Sequence, residues 1–126
     1  MRISNKVWAL ILLFLTCILP AGATEVPSVN AGLGSCSVDF TVEDSSHKPL
    51  YDAKIDVTIR YGFMSLRKTE LEIGTNSDGK ARIQGLPPSV KKPLQFRIRY
   101  GQQSKTIEYD PAVRCHADYT IALGAQ

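Results

Sequence analysis

The sequence predicts an all-β domain of about seven antiparallel strands, folded as a sandwich or barrel behind a cleavable secretory leader. Three observations carry this. Apolar and polar residues alternate with a period of two through much of residues 36–123. Clusters of Gly, Pro, Asn, Asp and Ser interrupt the alternation at roughly the 8–12-residue spacing of all-β domains. No stretch of that region repeats apolar residues at the helical period.

The leader is residues 1–23. Arg2 and Lys6 give a positive start, Val7 to Leu19 an apolar centre, and Ala21-Gly22-Ala23 a small-x-small cleavage pattern that predicts cutting before Thr24. The alternative is a retained anchor, but the apolar run of 13 residues falls short of the ~20 a spanning helix needs. Residues 24–35 are rich in Pro, Gly, Ser and Asn without periodicity and are expected to be a flexible lead-in. The sandwich domain is then 36–126.

Within it, Val38, Phe40 and Val42 alternate with Asp39, Thr41 and Glu43 as a half-buried strand. After the turn 44–49, Ala53, Ile55, Val57, Ile59 and Tyr61 share one face, with Lys54, Asp56, Thr58 and Arg60 on the other. Phe63-Met64-Ser65-Leu66 is an apolar loop, either a binding tip or a cover folded back over the core. A weaker strand at 66–73 leads to a tight turn at Asn76–Gly79. Ala81 and Ile83 form a short strand. Leu94, Phe96, Ile98 and Tyr100 share the next face, Ile107 and Tyr109 the one after, and Ala117, Tyr119, Ile121 and Leu123 the last. The hairpin at 101–104 has two registers open. Gly101-Gln102 as central pair sets Arg97 opposite Thr106; Gln102-Gln103 sets it opposite Glu108.

Charge and cysteine content narrow the function. The 15 basic residues include two in the leader, which leaves 13 against 12 acidic ones in the processed chain. A balance this even gives no electrostatic case for nucleic acid, and with the leader removed no membrane contact is expected. An exported chain meets an oxidising compartment, secreted or periplasmic. Cys17 leaves with the leader, so Cys36 and Cys115 are expected to form one intramolecular disulfide.

Two turn motifs are similar to those of carboxypeptidase-regulatory-like domains, which have a transthyretin-like (prealbumin-like) sandwich. One is Asp44-Ser-Ser-His-Lys-Pro-Leu-Tyr-Asp-Ala53. The other is Thr75-Asn-Ser-Asp-Gly-Lys-Ala-Arg-Ile83 followed by Gly85-Leu-Pro. The chain departs from the family at Ser46-His47, where a glycine is usual, and at Asp52, where a second is common. The resemblance spans about residues 36–123 and implies an Ig-like or prealbumin-like sandwich that is not an enzyme and serves in binding or as a spacer.

No catalytic set, metal site or cofactor is read from the residues. Gly32-Leu33-Gly34 lacks the third glycine of a nucleotide loop. Asn76 and Asp78 resemble part of a calcium loop, yet Gly74 stands where the first ligand belongs. The transthyretin-like fold also hosts a hydrolase with paired histidines, but His47 and His116 fall in a turn and beside a cysteine, and the chain closes Leu123-Gly124-Ala125-Gln126 without that family's tail. Candidate partner contacts are Lys91, Lys92, Arg97 and Arg99, a basic cluster suited to an anionic protein or glycan, with Phe63 and Met64 at the apolar loop. The expected function is a non-catalytic binding module; the alternatives are a structural spacer subunit or a small hydrolase. Oligomeric state is left open.

Overall fold

The computed structural model describes residues 25–124, so the expected leader and its cleavage point lie outside the described residues. Eight strands form two four-stranded sheets: β1 (Ser28–Asn30), β2 (Cys36–Asp44), β3 (Lys54–Tyr61), β4 (Arg67–Gly74), β5 (Lys80–Leu86), β6 (Leu94–Tyr100), β7 (Gln103–Tyr109) and β8 (His116–Leu123). One sheet runs β1-β5-β2-β8 and the other β4-β3-β6-β7. A 3-10 turn, Phe63–Ser65, caps the β3–β4 hairpin.

Alternation decided the faces. The buried positions of β2 are Cys36, Val38, Phe40 and Val42; those of β3 are Ile55, Val57 and Ile59; those of β6 are Leu94, Phe96 and Ile98. The two inner faces meet as one apolar layer in which Phe40 lies edge-on to Phe96, ring centroids 5.1 Å apart. Tyr109 sits in the same layer and spends its hydroxyl on the Cys115 carbonyl, 2.8 Å away, which satisfies the one polar atom it buries.

Two expectations need correction. The strand count is eight because part of the supposedly flexible lead-in is β1, paired in parallel with Arg82–Gln84 of β5. Its period-two signal is absent because a three-residue edge strand needs only backbone groups. Asn76 Nδ2 donates to the Glu25 carbonyl, and the Arg82 N–H to that of Pro27. Nor is the sandwich wholly antiparallel: β2 and β8 run parallel over eight residue pairs, Ser37↔His116 to Asp44↔Leu123. Alternation is blind to strand direction, so the sequence could not report this. The β2–β5 register also shifts between Cys36 and Val38: β5 carries the extra residue at Gln84–Gly85, where Gly85 takes φ 73°.

Cys36 and Cys115 are joined by a disulfide, their Cα atoms 4.6 Å apart, closing the first residue of β2 onto the residue before β8. The 101–104 hairpin takes the Gly101-Gln102 turn: Gly101 has φ 61°, Tyr100 pairs with Gln103, and Arg97 faces Thr106. A positive φ at the first central residue is what glycine supplies without strain. The two departures from the turn motifs also acquire a reason, because His47 (φ 68°) and Asp52 (φ 61°) both hold left-handed backbone. The conformation a glycine would take is kept, at a strain of roughly 1–2 kcal/mol per residue. At Gly79 (φ 72°) no substitute is tolerated, since a Cβ there would run into the Val42 carbonyl.

Candidate functional site: a cationic cleft at a gap in the sheet

The site arises where a ladder stops early. β3 pairs with β4 over eight residues, Lys54↔Gly74 to Tyr61↔Arg67, but with β6 over three only, ending at Asp56↔Arg97. β6 itself runs on to Leu94, so Leu94, Gln95 and Phe96 keep their pairing with β7 while parting from β3, and Pro93, with no N–H to give, ends the strand beyond them. The 87–93 connection, with prolines at 87, 88 and 93, forms the facing wall, and its Val90 packs against the core. Thr75 bonds both the N–H and the carbonyl of Ala53, so alternation directs the backbone groups of Ile55, Val57 and Ile59 to β4. Those of Thr58 and Arg60 then point to the side where β6 no longer pairs with β3.

The result is a cleft of about 1000 Å³ walled by β3, the start of β4 and the 87–95 segment. Asp56, Thr58, Arg60, Tyr61, Lys68 and Glu70 line it on one side, Ser89, Lys91, Lys92 and Gln95 on the other; both acids are held in ion pairs, Asp56 with Arg97 and Arg99 and Glu70 with Lys68. The core beneath is not breached, because Val57, Ile59, Leu94 and Phe96 remain buried. A half-open groove with polar hydroxyls, an aromatic ring and several cations is the form a ligand site takes.

Ion pairing divides the expected basic cluster in two. Lys91 and Lys92 line the cleft and join no ion pair among the described residues, and the same holds for Arg60. Arg97 and Arg99 do not join them as free charges. Their Nε atoms lie 3.5 and 3.1 Å from the Asp56 carboxylate, and Arg99 also contacts Glu72. Both arginines are therefore partly neutralised on the sheet face. Lys68 is matched by Glu70 at 3.3 Å, and Gln95 Nε2 donates to Glu108 at 2.9 Å. Cross-strand neighbours decide which cations are spent, and those neighbours come from β3 and β4, distant in sequence. Arg60 carries no special mark in the alternation, where it counts as one more outward polar residue. The signal that picks it out is the stretch 57–69, which holds Arg60, Arg67 and Lys68 and no acidic residue.

Phe63 and Met64 do not fold back over the core. They are 81% and 67% exposed, and Leu66 is 76% exposed, so the loop is a projecting tip beside the cleft.

The two histidines are kept apart. His116 Nδ1 lies 2.9 Å from Ser37 Oγ at one end of β2, while His47 Nδ1 lies 2.9 Å from Glu43 Oε2 near the other. Six residue steps along the strand separate Ser37 from Glu43, about 20 Å at the usual rise. The bond to Glu43, and then its charge, raise the pKa of His47. The Asn76 turn is a turn: Asn76 Oδ1 accepts the N–H groups of Asp78 and Lys80, which occupies the oxygen a calcium ion would need. Among the described residues no group of three or more His, Cys, Asp or Glu is placed to hold a metal ion.

No protein-family model matches the chain, and no curated protein matches it by sequence. Solved structures do resemble it. Catechol 1,2-dioxygenase from Pseudomonas arvilla C-1 superposes with a TM-score of 0.55 at 13% identity, covering 84% of this chain and 60% of that one. Hydroxyquinol 1,2-dioxygenase from Pseudomonas putida DLL-E4 gives 0.52 at 13% identity, over 92% of this chain and 71% of the other. The dioxygenase domain of a dioxygenase–carbohydrate-binding protein fusion from Streptomyces sp. SirexAA-E gives 0.52 at 14%, over 85% and 94%. The likeness at this identity shows the all-β sandwich fold alone, and the chain spans only about 60% of the first of these.

Proposed function

We propose that this chain is a non-catalytic, exported binding module that takes an anionic protein or glycan in the cleft between β3 and the 87–93 segment. The observation that carries the reading is the set of three cations, Arg60, Lys91 and Lys92, gathered around a cavity of about 1000 Å³ with no acidic partner of their own. Cations left unpaired in a walled groove act on a ligand more strongly than the same charges on an open face, because low-dielectric walls focus the field. Tyr61 offers an apolar ring, and Thr58, Ser89 and Gln95 offer hydrogen bonds, so an extended acidic chain can be both held and oriented.

Two further observations agree with this reading. The turn motifs resemble those of carboxypeptidase-regulatory-like modules, which are usually not enzymes. The Cys36–Cys115 disulfide and the absence, among the described residues, of a helix long and apolar enough to cross a membrane are consistent with life outside the reducing interior. The dioxygenase likeness shows the fold alone and is not carried further.

The test is a binding titration against a defined panel: an oligogalacturonate, a sulfated oligosaccharide, an oligoglutamate peptide and a neutral oligosaccharide. An anionic member should bind, and the K91E/K92E double variant should weaken it by about tenfold or more, the reversal of two contacts each worth roughly 1 kcal/mol. Equal binding by wild type and K91E/K92E, or preference for the neutral sugar, would refute the assignment.

A further inference from the structure

The β3–β4 hairpin ends in a feature the cleft does not use. Phe63, Met64 and Leu66 place three large apolar side chains in water within four residues. Single exposed apolar residues are ordinary, whereas a cluster of this kind calls for a partner. Its backbone is also strained: Met64 and Ser65, consecutive in the turn, have φ 57° and 56°. Asn-Gly closes such a turn without strain, so the residues present are not those that hairpin closure alone would favour.

We infer that this tip inserts into the surface of an anionic lipid bilayer, with the cations behind it lying among the phosphate headgroups. The charge pattern is the first argument. From residue 57 to 69 the hairpin carries Arg60, Arg67 and Lys68 and no acid; Lys68 is matched by Glu70 and Asp56 by Arg97 and Arg99, which leaves Arg60 and Arg67 without an ion pair among the described residues. Depth is the second. Arg60 pairs with Lys68 and Tyr61 with Arg67, so these side chains leave the hairpin within a few residues of Phe63. At about 3.3 Å per residue that places them roughly 5–10 Å behind the apolar tip, the depth to which interfacial apolar groups sink at the headgroup boundary. Tyr61, half-buried at the same level, has the amphipathic ring that interfaces favour. Lys91 and Lys92 add charge on the adjoining wall.

Shape is the third argument. The apolar residues stand on a projecting turn, not in a groove, and a fluid bilayer accepts a protrusion without a matching pocket. The expectation of no membrane contact rested on removal of the leader; the tip is a separate apolar element, and the near-zero net charge conceals cations collected at one end. The inference shares Arg60, Tyr61, Lys91 and Lys92 with the cleft but stands on Phe63, Leu66 and Arg67, which do not line it.

Flotation of the full chain with vesicles tests it, using neutral phosphatidylcholine alone and with about 30% phosphatidylglycerol; any contribution of residues 1–23 is common to every variant. Wild type should float with the anionic vesicles and lose most binding in about 0.5 M salt, where screening is short-ranged. The F63D/L66D variant should lose about tenfold or more, and R67E several-fold on anionic vesicles only. Both should keep the wild-type melting temperature and the wild-type affinity for a cleft ligand. If F63D/L66D binds as wild type does, or anionic lipid makes no difference, the inference is overturned. Failure of the wild-type chain to float also overturns it, leaving the tip to a pocket on a protein partner.

Discussion

Removing the disulfide offers the sharpest test of how this small domain is held together. Cys36 and Cys115 are 79 residues apart, so the bond closes a loop over most of the described domain. In the chain-entropy model a loop of about 80 residues removes roughly 15 cal/mol/K from the unfolded ensemble, or about 4.5 kcal/mol at 25 °C. The native state should scarcely register the loss. β2 and β8 remain paired over eight residues, and the Cys115 carbonyl is still fixed by the Ser37 N–H at 2.9 Å and the Tyr109 hydroxyl at 2.8 Å. The C36A/C115A variant should therefore fold to the same structure and lose about 4.5 kcal/mol in urea unfolding. The slope m should rise as the unfolded chain expands, and the melting temperature should fall by about 20 °C or more. Wild type under reductant separates the cross-link from the small loss of buried sulfur, and should account for most of the change. A loss below about 1.5 kcal/mol with m unchanged would refute the argument, because it would mean the unfolded chain is not freed by opening the loop.

Other consequences follow from single contacts. Thr75 is buried, its hydroxyl donating to the Leu50 carbonyl at 2.6 Å and accepting the Ala53 N–H at 2.9 Å; Thr75→Val should cost about 2–3 kcal/mol in chemical denaturation by leaving both groups unpaired. Replacing Met64-Ser65 by Asn-Gly should raise stability by about 1–2 kcal/mol, since both residues sit in left-handed backbone, and vesicle binding should fall in the same variant. His47 is held above its usual pKa of 6.5 first by its hydrogen bond to Glu43 and then by that carboxylate's charge. A raised folded-state pKa gives stabilisation that is complete below the unfolded value of about 6.5 and disappears as pH rises through the folded value. NMR titration should show His47 losing its proton at higher pH than the same residue in the E43Q variant.

The sequence by itself determined the faces of the sandwich and the turns between strands. Ile55, Val57 and Ile59 had to be buried together and Asp56, Thr58 and Arg60 turned to the opposite face, because successive side chains leave a strand on opposite sides and water sorts them. Asn76–Gly79 had to turn, because Asn76 bonds its own following backbone and Gly79 supplies a positive φ. These are local rules, and local residues satisfy them. Tertiary structure alone decided which strands are neighbours. The parallel contact of β2 with β8 and of β1 with β5 joins segments far apart in the chain, and period-two alternation is the same for either direction or partner. The site follows from those pairings. Arg97 and Arg99 are spent because Asp56 and Glu72 arrive from β3 and β4, while Arg60, Lys91 and Lys92 remain available because β3 and β6 part after three residue pairs. A charge's availability depends on what stands within a few ångströms of it, and in a sheet that neighbour is set by register between strands, which only the folded chain brings together.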